Sequence, residues 1–289
     1  MTRADLALYQ SKGEGRGRFN FFVPELQDRA EARRALELGL RAALPRGEFT
    51  LHYQPQLDLG TRTLAGFEAL LRWQRPGLGL VPPAEFIPLA EEIGLIGTIG
   101  EWVLREATSE AARWPAPLRV AVNVSPPQFQ NGRLVGSVQA ALAASGLPGD
   151  RLELEVTESA LLEDGGWGTM AQLQALKMLG LRISLDDFGT GYSSLSQLRS
   201  FPFDRVKIDR SFADDAAVVR AVAALGTSLG IRTTAEGVET PAQLERVRAD
   251  GCTEAQGYLL GRPVPAGEVP EIIRRLGGAG ADHGLGEAA

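Results

Sequence analysis

The sequence predicts an α/β chain that closes into a (β/α)8 barrel of the TIM type, entered through a β-hairpin. Three observations carry that reading. Strand-like and helix-like segments alternate about six times at ~20–30-residue spacing, which calls for parallel strands covered by helices. About eight strands fall within roughly 240 residues, the number and length that a closed barrel needs. Neither GxGxxG nor GxxxxGK[ST] occurs, so no nucleotide fingerprint favours an open, doubly wound sheet.

Residues 1–22 stand apart from the rest of the chain. Ala4 to Gln10 can form a short helix with too little apolar surface to fold alone, and Ser11 to Arg18 is rich in glycine and charge and reads as a loop. Pro24 to Arg41 is an amphipathic helix interrupted by charge. Phe49 to Asp58 alternates apolar and polar in part. After the turn from Leu59 to Arg62, Thr63 to Trp73 returns, so the two pair as a hairpin. Helices are expected over Pro83–Glu92 and Ile96–Ala112, a strand over Leu118–Ser125 and a helix over Pro127–Ala144. Leu152–Glu158 is a strand, and Trp167–Leu179 is a helix that Gly180 stops. The apolar run from Leu181 to Leu185 reads as a buried strand. A helix start comes next at Tyr192 to Ser194, with a short helix from Ser194 to Leu198. Phe203–Asp209 is a strand, Asp214–Leu229 a helix stopped by Gly230, and Ile231–Glu239 a strand. Pro241–Asp250 is a helix with proline in its first turn, Glu254–Leu259 the last strand and Pro265–Leu276 the last helix. Gly277 to Ala289 is a glycine- and alanine-rich tail.

Composition narrows the chemistry. With 289 residues, 44% apolar and 23% charged, the chain has the make-up of a soluble globular protein. A net charge of −6 argues against duplex DNA or RNA as a partner. Cys252 is the one cysteine, so no intramolecular disulfide can form; it reads as a small core residue and fits a reducing, cytoplasmic setting. Only His52 and His283 are available, too few for a zinc site built on His and Cys. No apolar run approaches the ~18–20 residues of a membrane helix, and the polar N-terminus lacks a signal-peptide core. A longer parent protein could still be membrane-attached.

The informative stretch is Ile183 to Leu195, where an apolar strand runs into Asp186 and Asp187 and then into Gly189 and Gly191. Taken alone, the two acids suit a turn and cap as well as a site. Their neighbours change the weighing. Polar residues lie in or at the end of seven strands: Glu68, Asn123, Glu155, the pair Asp186 and Asp187, Lys207, Glu236 and Gln256. In a barrel the strand ends meet around one mouth, which gathers these carboxylates with one lysine. Two like charges ~4 Å apart repel by roughly 4 kcal/mol at an effective dielectric near 20, so either protons or cations must offset them. Carboxylates with Asn and Gln carbonyls are hard oxygen ligands suited to Mg²⁺, Mn²⁺ or Ca²⁺. Two such ions ~3.5–4 Å apart suit phosphodiester hydrolysis, with Lys207 positioning or activating the water or stabilising phosphoryl charge. A glycoside hydrolase is the other barrel reading; it needs only two carboxylates, and the four tryptophans offer no evident sugar platform.

The motifs carry a resemblance. Tyr53-Gln-Pro-Gln56, Glu68-Ala-Leu-Leu-Arg-Trp73, Phe86-Ile-Pro-Leu-Ala-Glu91, Asn123-Val-Ser125, Glu155-Val-Thr-Glu158, Asp186-Asp-Phe-Gly-Thr-Gly191, Lys207-Ile-Asp-Arg210, Ala235-Glu-Gly-Val-Glu-Thr240 and Gln256-Gly-Tyr258 occur in order. Together they resemble the EAL domain family of bacterial cyclic-di-GMP phosphodiesterases, from about residue 25 to 276. The resemblance implies a modified TIM barrel with an antiparallel first strand and hydrolysis of cyclic di-GMP to linear pGpG with Mg²⁺ or Mn²⁺. It implies Glu68, Asn123, Glu155, Asp186 and Asp187 as metal ligands, with Glu236 at a second metal or its water. Lys207 and Gln256 would sit by the water; Gln54, Leu71 and Arg72 would hold substrate. Glu158 and Glu239 would be supports, Glu158 steadying the loop after Asp187 that joins the site to a homodimer interface. The family's other form is a module that binds cyclic di-GMP without hydrolysing it.

Residues 4–22 resemble the C-terminal tail of a GGDEF (diguanylate cyclase) domain, which implies an upstream GGDEF or sensor domain; a native leader is the alternative. The expected organisation is therefore a remnant tail or linker over 1–22, the barrel over 23–277 and a disordered tail over 278–289. Three departures from the family stand out. Gln74-Arg75-Pro76 replaces a usual His-Pro, Ser211 to Ala217 is short, and Leu260-Gly261 stands where Phe-Ser is frequent. None removes a catalytic group.

Overall fold

The structure, a computed structural model, describes residues 24–162, 167–189, 198 and 201–277. The expected helix at Ala4 to Gln10, the Gly191 loop, the helix start at Tyr192 and the tail from 278 lie outside the described residues. The chain divides into two compact units: residues 50–72 with 96–289, and residues 1–49 with 73–95.

The larger unit is the barrel. Its strands are β1 (Phe49–Asp58), β2 (Thr63–Arg75), β4 (Arg119–Val124), β5 (Leu152–Thr157), β6 (Arg182–Phe188), β7 (Arg205–Ile208), β8 (Arg232–Ala235) and β9 (Glu254–Gln256). The order β1-β9-β8-β7-β6-β5-β4-β2 closes through a β1–β2 pairing, and a short β10 (Val264–Pro265) adds to β1. Strands β2 and β4 to β9 pair in parallel. β1 runs antiparallel to β9. This is the expected modified barrel, with the hairpin supplying the reversed strand.

The strand sequences explain how the site forms. β5 reads Leu-Glu-Leu-Glu-Val-Thr, an alternation that ordinarily marks one wet face. Here its first five residues are all buried. Leu152, Leu154 and Val156 form the apolar core, while Glu153 and Glu155 are buried as charged residues of the same strand. Register carries the polar set around the barrel: Asn123 lies opposite Glu155, Glu155 opposite Ser184, Lys207 opposite Thr234, Thr234 opposite Glu254, and Gln56 opposite Gln256. The outer apolar set supplies the core, each fully buried large side chain contributing ~1.5–3 kcal/mol.

Helices cover the strands. α3 (Ile96–Ala111) packs on α5 (Leu134–Ser145) and on β4, and α8 (Ala216–Leu229) packs on β7 and β8. α8 starts on the Asp215 side chain and ends at Gly230, whose φ of 70° is the left-handed conformation that glycine adopts without strain. α9 (Pro241–Ala249) begins with a capping box between Thr240 and Gln243, and Pro241 takes the first turn as expected.

Several elements depart from expectation. The helix expected over 127–144 is two, α4 (Pro127–Gln130) and α5. The chain breaks where Gly132 takes φ 66° and Asn131 accepts from the Arg133 amide. β5 stops at Thr157 because Glu158 opens α6 (Glu158–Leu162). α7 (Trp167–Met178) comes next, as expected. β6 extends past both acids to Phe188 through a register shift against β7. β8 stops at Ala235, leaving Glu236 just beyond it. The last helix, α10 (Val269–Leu276), is preceded by a 3₁₀ turn over Ala266–Glu268.

The smaller unit holds α1 (Pro24–Ala43), β3 (Gly79–Val81), α2 (Pro83–Glu92) and the outer end of β2. β3 pairs antiparallel with β2, a hairpin that the sequence pattern does not show. Phe49, Trp73 and Phe86 form an aromatic cluster with ring centroids 5.6–6.1 Å apart. The Trp73 indole donates to buried Glu48 at 2.9 Å, which satisfies both polar groups inside that cluster.

Candidate active site

The barrel interior holds two charged layers. In the lower one, Arg119 and Arg205 meet Glu153 and Glu254. Arg119 lies 2.9 Å from Glu254 and 3.7 Å from Glu153; Arg205 lies 2.8 and 3.3 Å from the same two acids. Arg232 joins Glu254 at 2.9 Å and pairs with Asp58. Three guanidinium groups thus face three carboxylates.

Two residues further along β7, Lys207 is the centre of the upper layer. Its ammonium, 1% exposed, lies 2.7 Å from Glu236, 2.8 Å from Glu155, 3.2 Å from Asp186 and 3.6 Å from Glu68. Four carboxylates against one ammonium leave an excess of three formal negative charges. Asn123 and Gln256 each donate to Glu68, at 2.7 and 2.6 Å. Gln256 also donates to Gln54 at 3.1 Å.

The electrostatics reflect this crowding. Burial alone would lower the Lys207 pKa; the charges of Asp186, Glu155, Glu236 and Glu68 outweigh it and hold the ammonium well above its ordinary value. Burial and the neighbouring Glu68 charge push Glu155 well up. Burial, then Asp186 and Glu68, push Glu236 to about 7 against the pull of Lys207. Glu68 goes the other way: Lys207, Gln256 and Asn123 outweigh its burial and hold it below the ordinary range. Asp187, exposed on β6, is raised by partial desolvation and by the neighbouring Asp186 charge. Crowding of carboxylates around one lysine therefore raises the Glu155 and Glu236 carboxyls and lowers Glu68. In this arrangement Lys207 is a donor and a charge, not a base.

A cleft of about 250 Å³ opens onto this layer. Gln54, Glu68, Asp186, Lys207, Glu236, Glu239 and Gln256 line it, as do Leu70, Arg210 and Tyr258. Asn123 and Glu155 reach the same layer through Glu68 and Lys207. Asp187 is next on the strand, its amide donating to Asp186 at 3.0 Å and its φ at 54°, a backbone conformation rare outside glycine. Leu70, two residues from Glu68 on β2, is on the cleft, whereas Leu71 offers its carbonyl to the Arg72 guanidinium at 3.0 Å. Arg72 is half-buried; burial lowers its pKa, opposed by Glu68 and Tyr258. Glu158 accepts from the Gly189 amide at 3.0 Å, and its other oxygen receives no hydrogen bond among the described residues. The Glu239 amide donates to Gln243.

Arg210 and Tyr258 lie inside the family motifs, yet sequence reasoning does not single them out as site residues. Tyr258 is half-exposed, with the Arg262 guanidinium 4.2 Å from its ring centroid. Their signal is the same one that finds Lys207 and Gln256: each comes shortly after a polar strand end.

The residues fit a divalent cation by donor chemistry. The layer offers only oxygen ligands, carries surplus negative charge, and contains Glu155 Oε1, buried and receiving no hydrogen bond among the described residues. As the side chains stand, among the described residues no three His, Cys, Asp or Glu groups are disposed to share an ion; the acids gather on Lys207 instead.

Comparison with known proteins agrees with this geometry. The family profile described as the EAL domain matches residues 38–263. The chain belongs to the EAL domain family. Within it, an uncharacterized signaling protein of Caulobacter vibrioides is 49% identical over 272 residues, which span 92% of this chain and 34% of that protein. MucR of Pseudomonas aeruginosa, named a bifunctional diguanylate cyclase/cyclic di-GMP phosphodiesterase, is 45% identical over 277 residues, 92% of this chain and 40% of MucR. The c-di-GMP complex of the PaMucR phosphodiesterase superposes with a TM-score of 0.78 at 46% identity, covering 81% of this chain and 99% of that one. This EAL chain thus spans 34–40% of the length of these curated relatives. No helix among its described residues is long and apolar enough to cross a membrane.

Proposed function

We propose that this EAL domain hydrolyses one phosphodiester bond of cyclic di-GMP, releasing linear pGpG. The observation that carries the reading is the unbalanced upper layer, four carboxylates on one buried ammonium at the floor of an open cleft. Such a layer invites cations and a phosphodiester, and MucR, whose name includes that activity, shares 45% identity.

Glu68, Asn123, Glu155, Asp186 and Asp187 would hold Mg²⁺ or Mn²⁺, with Glu236 at a second ion. When bound, the cations supply Lewis-acid polarisation of the phosphate and acidify a water. Lys207 and Gln256 orient the attacking water. The Lys207 ammonium also stabilises charge that grows on the phosphoryl oxygens, and its preset position costs no reorganisation. Gln54, Leu71 and Arg72 hold the substrate, joined on the cleft wall by Arg210 and Tyr258. Glu158 steadies the loop after Asp187 through the Gly189 amide and links the site to a homodimer interface; Glu239 supports the opposite rim.

The same reading extends to the chain's setting. Residues 1–22 belong to a preceding GGDEF-like domain or a linker, and 23–277 form the phosphodiesterase barrel. The working location is the cytoplasm, within a longer protein carrying GGDEF or sensor domains.

Incubating the folded chain with cyclic di-GMP and either Mg²⁺ or Mn²⁺, and separating products by chromatography, tests the proposal. Appearance of pGpG is expected with at least one metal. Unchanged dinucleotide with both, alongside measurable cyclic di-GMP binding, would leave a receptor module in its place.

A further inference from the structure

One polar path joins the two layers of the barrel. Arg205, in the lower layer, donates from Nη1 to Gln56 Oε1 at 3.2 Å. Gln56 donates from Nε2 to Gln256 Oε1 at 3.0 Å. Gln256 then donates from Nε2 to Glu68 Oε2 at 2.6 Å and to Gln54 Oε1 at 3.1 Å. Gln56, Gln256, Arg205 and Glu68 are all buried, Gln56 and Arg205 at 1% exposure.

The direction of the path is fixed by its ends. A guanidinium only donates, so Gln56 must turn its carbonyl oxygen to Arg205 and its NH₂ to Gln256. Gln256 must then turn its own oxygen to Gln56 and its NH₂ to Glu68. An ionised carboxylate only accepts, so the Glu68 end demands the same orientation. Each amide has one orientation that satisfies both neighbours. A single reversed amide would set two acceptors or two donors face to face in a buried space, at the cost of an unpaired polar group.

We propose that Gln56 is a positioning residue: it carries the donor character of Arg205 through the barrel interior and thereby holds the Gln256 amide with its NH₂ on Glu68. It touches neither substrate nor cation, and its effect passes through Gln256. The inference rests on the phosphodiesterase reading for its kinetic readout and on cation binding for its second readout.

The sharpest test is Gln56→Glu. The new carboxylate still accepts from Arg205, so the lower layer stays paired, but it cannot donate to Gln256. Gln256 is then caught between two carboxylates that both require its NH₂. Expected are a folded chain with a lowered melting temperature, since the lower layer gains a fourth carboxylate in a buried position, at least about a tenfold fall in kcat with a smaller change in KM, and at least about tenfold weaker Mn²⁺ binding by calorimetry without substrate. Gln56→Met, which fills the space without either bond, should show the same kinetic pattern to a lesser degree. In a Gln256→Ala background, Gln56→Glu should change Mn²⁺ affinity by less than about twofold, because no amide remains to be turned. Folded variants with parental kcat and Mn²⁺ affinity would overturn the proposal. An undiminished effect in the Gln256→Ala background would do so as well, since Gln56 would then act by another route. If the parent chain itself makes no pGpG, the phosphodiesterase reading fails, and the Mn²⁺ titrations still decide the role of Gln56.

Discussion

The two charged layers of the barrel share β5 and β7, on which their residues are two positions apart. Glu153 and Glu155 are neighbours on one face of β5; Arg205 and Lys207 are neighbours on β7. The lower layer balances, with Arg119, Arg205 and Arg232 against Glu153, Glu254 and Asp58. The upper layer does not: among the described residues Lys207 is the cation in contact with Glu68, Glu155, Asp186 and Glu236, with Arg72 and Arg210 further off, Arg210 on the cleft wall. Each layer runs from fully buried groups, Arg205 and Lys207, to part-exposed ones, Arg232 and Glu236, so depth does not separate a support from a site. The sign of the leftover charge does. A balanced buried network is a structural solution, whereas an unbalanced one raises the Glu155 and Glu236 carboxyls and favours a cation.

Breaking each layer should therefore give opposite signatures. Glu68→Ala removes the upper-layer carboxylate that Asn123 and Gln256 hold, and should cut hydrolysis of cyclic di-GMP by more than about 100-fold with little loss of folding stability. Steady-state assays beside a melting curve measure both. Retained turnover would break the assignment of Glu68 as a ligand. Arg205→Met strips the lower layer of its central cation and leaves Glu153, among the described residues, only the more distant Arg119, 3.7 Å away. It should cost about 3–5 kcal/mol in urea unfolding, an effect much larger than that of Glu68→Ala on the same scale.

Much of this is legible in the sequence. Glu68, Asn123, Glu155, Asp186, Lys207 and Gln256 stand out because polar residues recur at strand ends, and one layer of the barrel holds them all. β1 begins and ends as expected at Phe49 and Asp58 because turn residues come directly after it. Where the sequence misleads, the signal is short-range or invisible. Gly132 inside an apolar-periodic run hides the break between α4 and α5. β3 and β10 are three and two residues long, too short for a period to show. The central place of Lys207 cannot be read either, because a lone lysine in a strand carries no mark of what surrounds it. Nor can the sequence show the lower layer as a unit, since Arg119, Glu153, Arg205 and Glu254 are separated by 135 residues from first to last.

Two substitutions outside both layers sharpen the comparison by isolating burial and capping from charge. Burial pushes the Cys252 thiol from 9.0 to about 11. An acid raised on folding ionises first in the unfolded chain, so stability should be flat below pH 9 and fall as pH rises from 9 through 11. Cys252→Ala should remove the part of that alkaline loss owed to the thiol, read from unfolding midpoints across the range. Smallest of all, Thr240→Ala opens the capping box on α9 and should cost about 1 kcal/mol while leaving turnover unchanged. A fall in kcat from that change would show that the rim of the cleft depends on this cap.

The claim that leftover charge marks the site is tested most directly by calorimetric titration of the substrate-free chain with Mn²⁺. Saturable binding of about two ions per chain is expected, lost in Glu68→Ala and kept in Thr240→Ala. Absence of binding by the folded parent chain, or unaltered binding after Glu68→Ala, would contradict it.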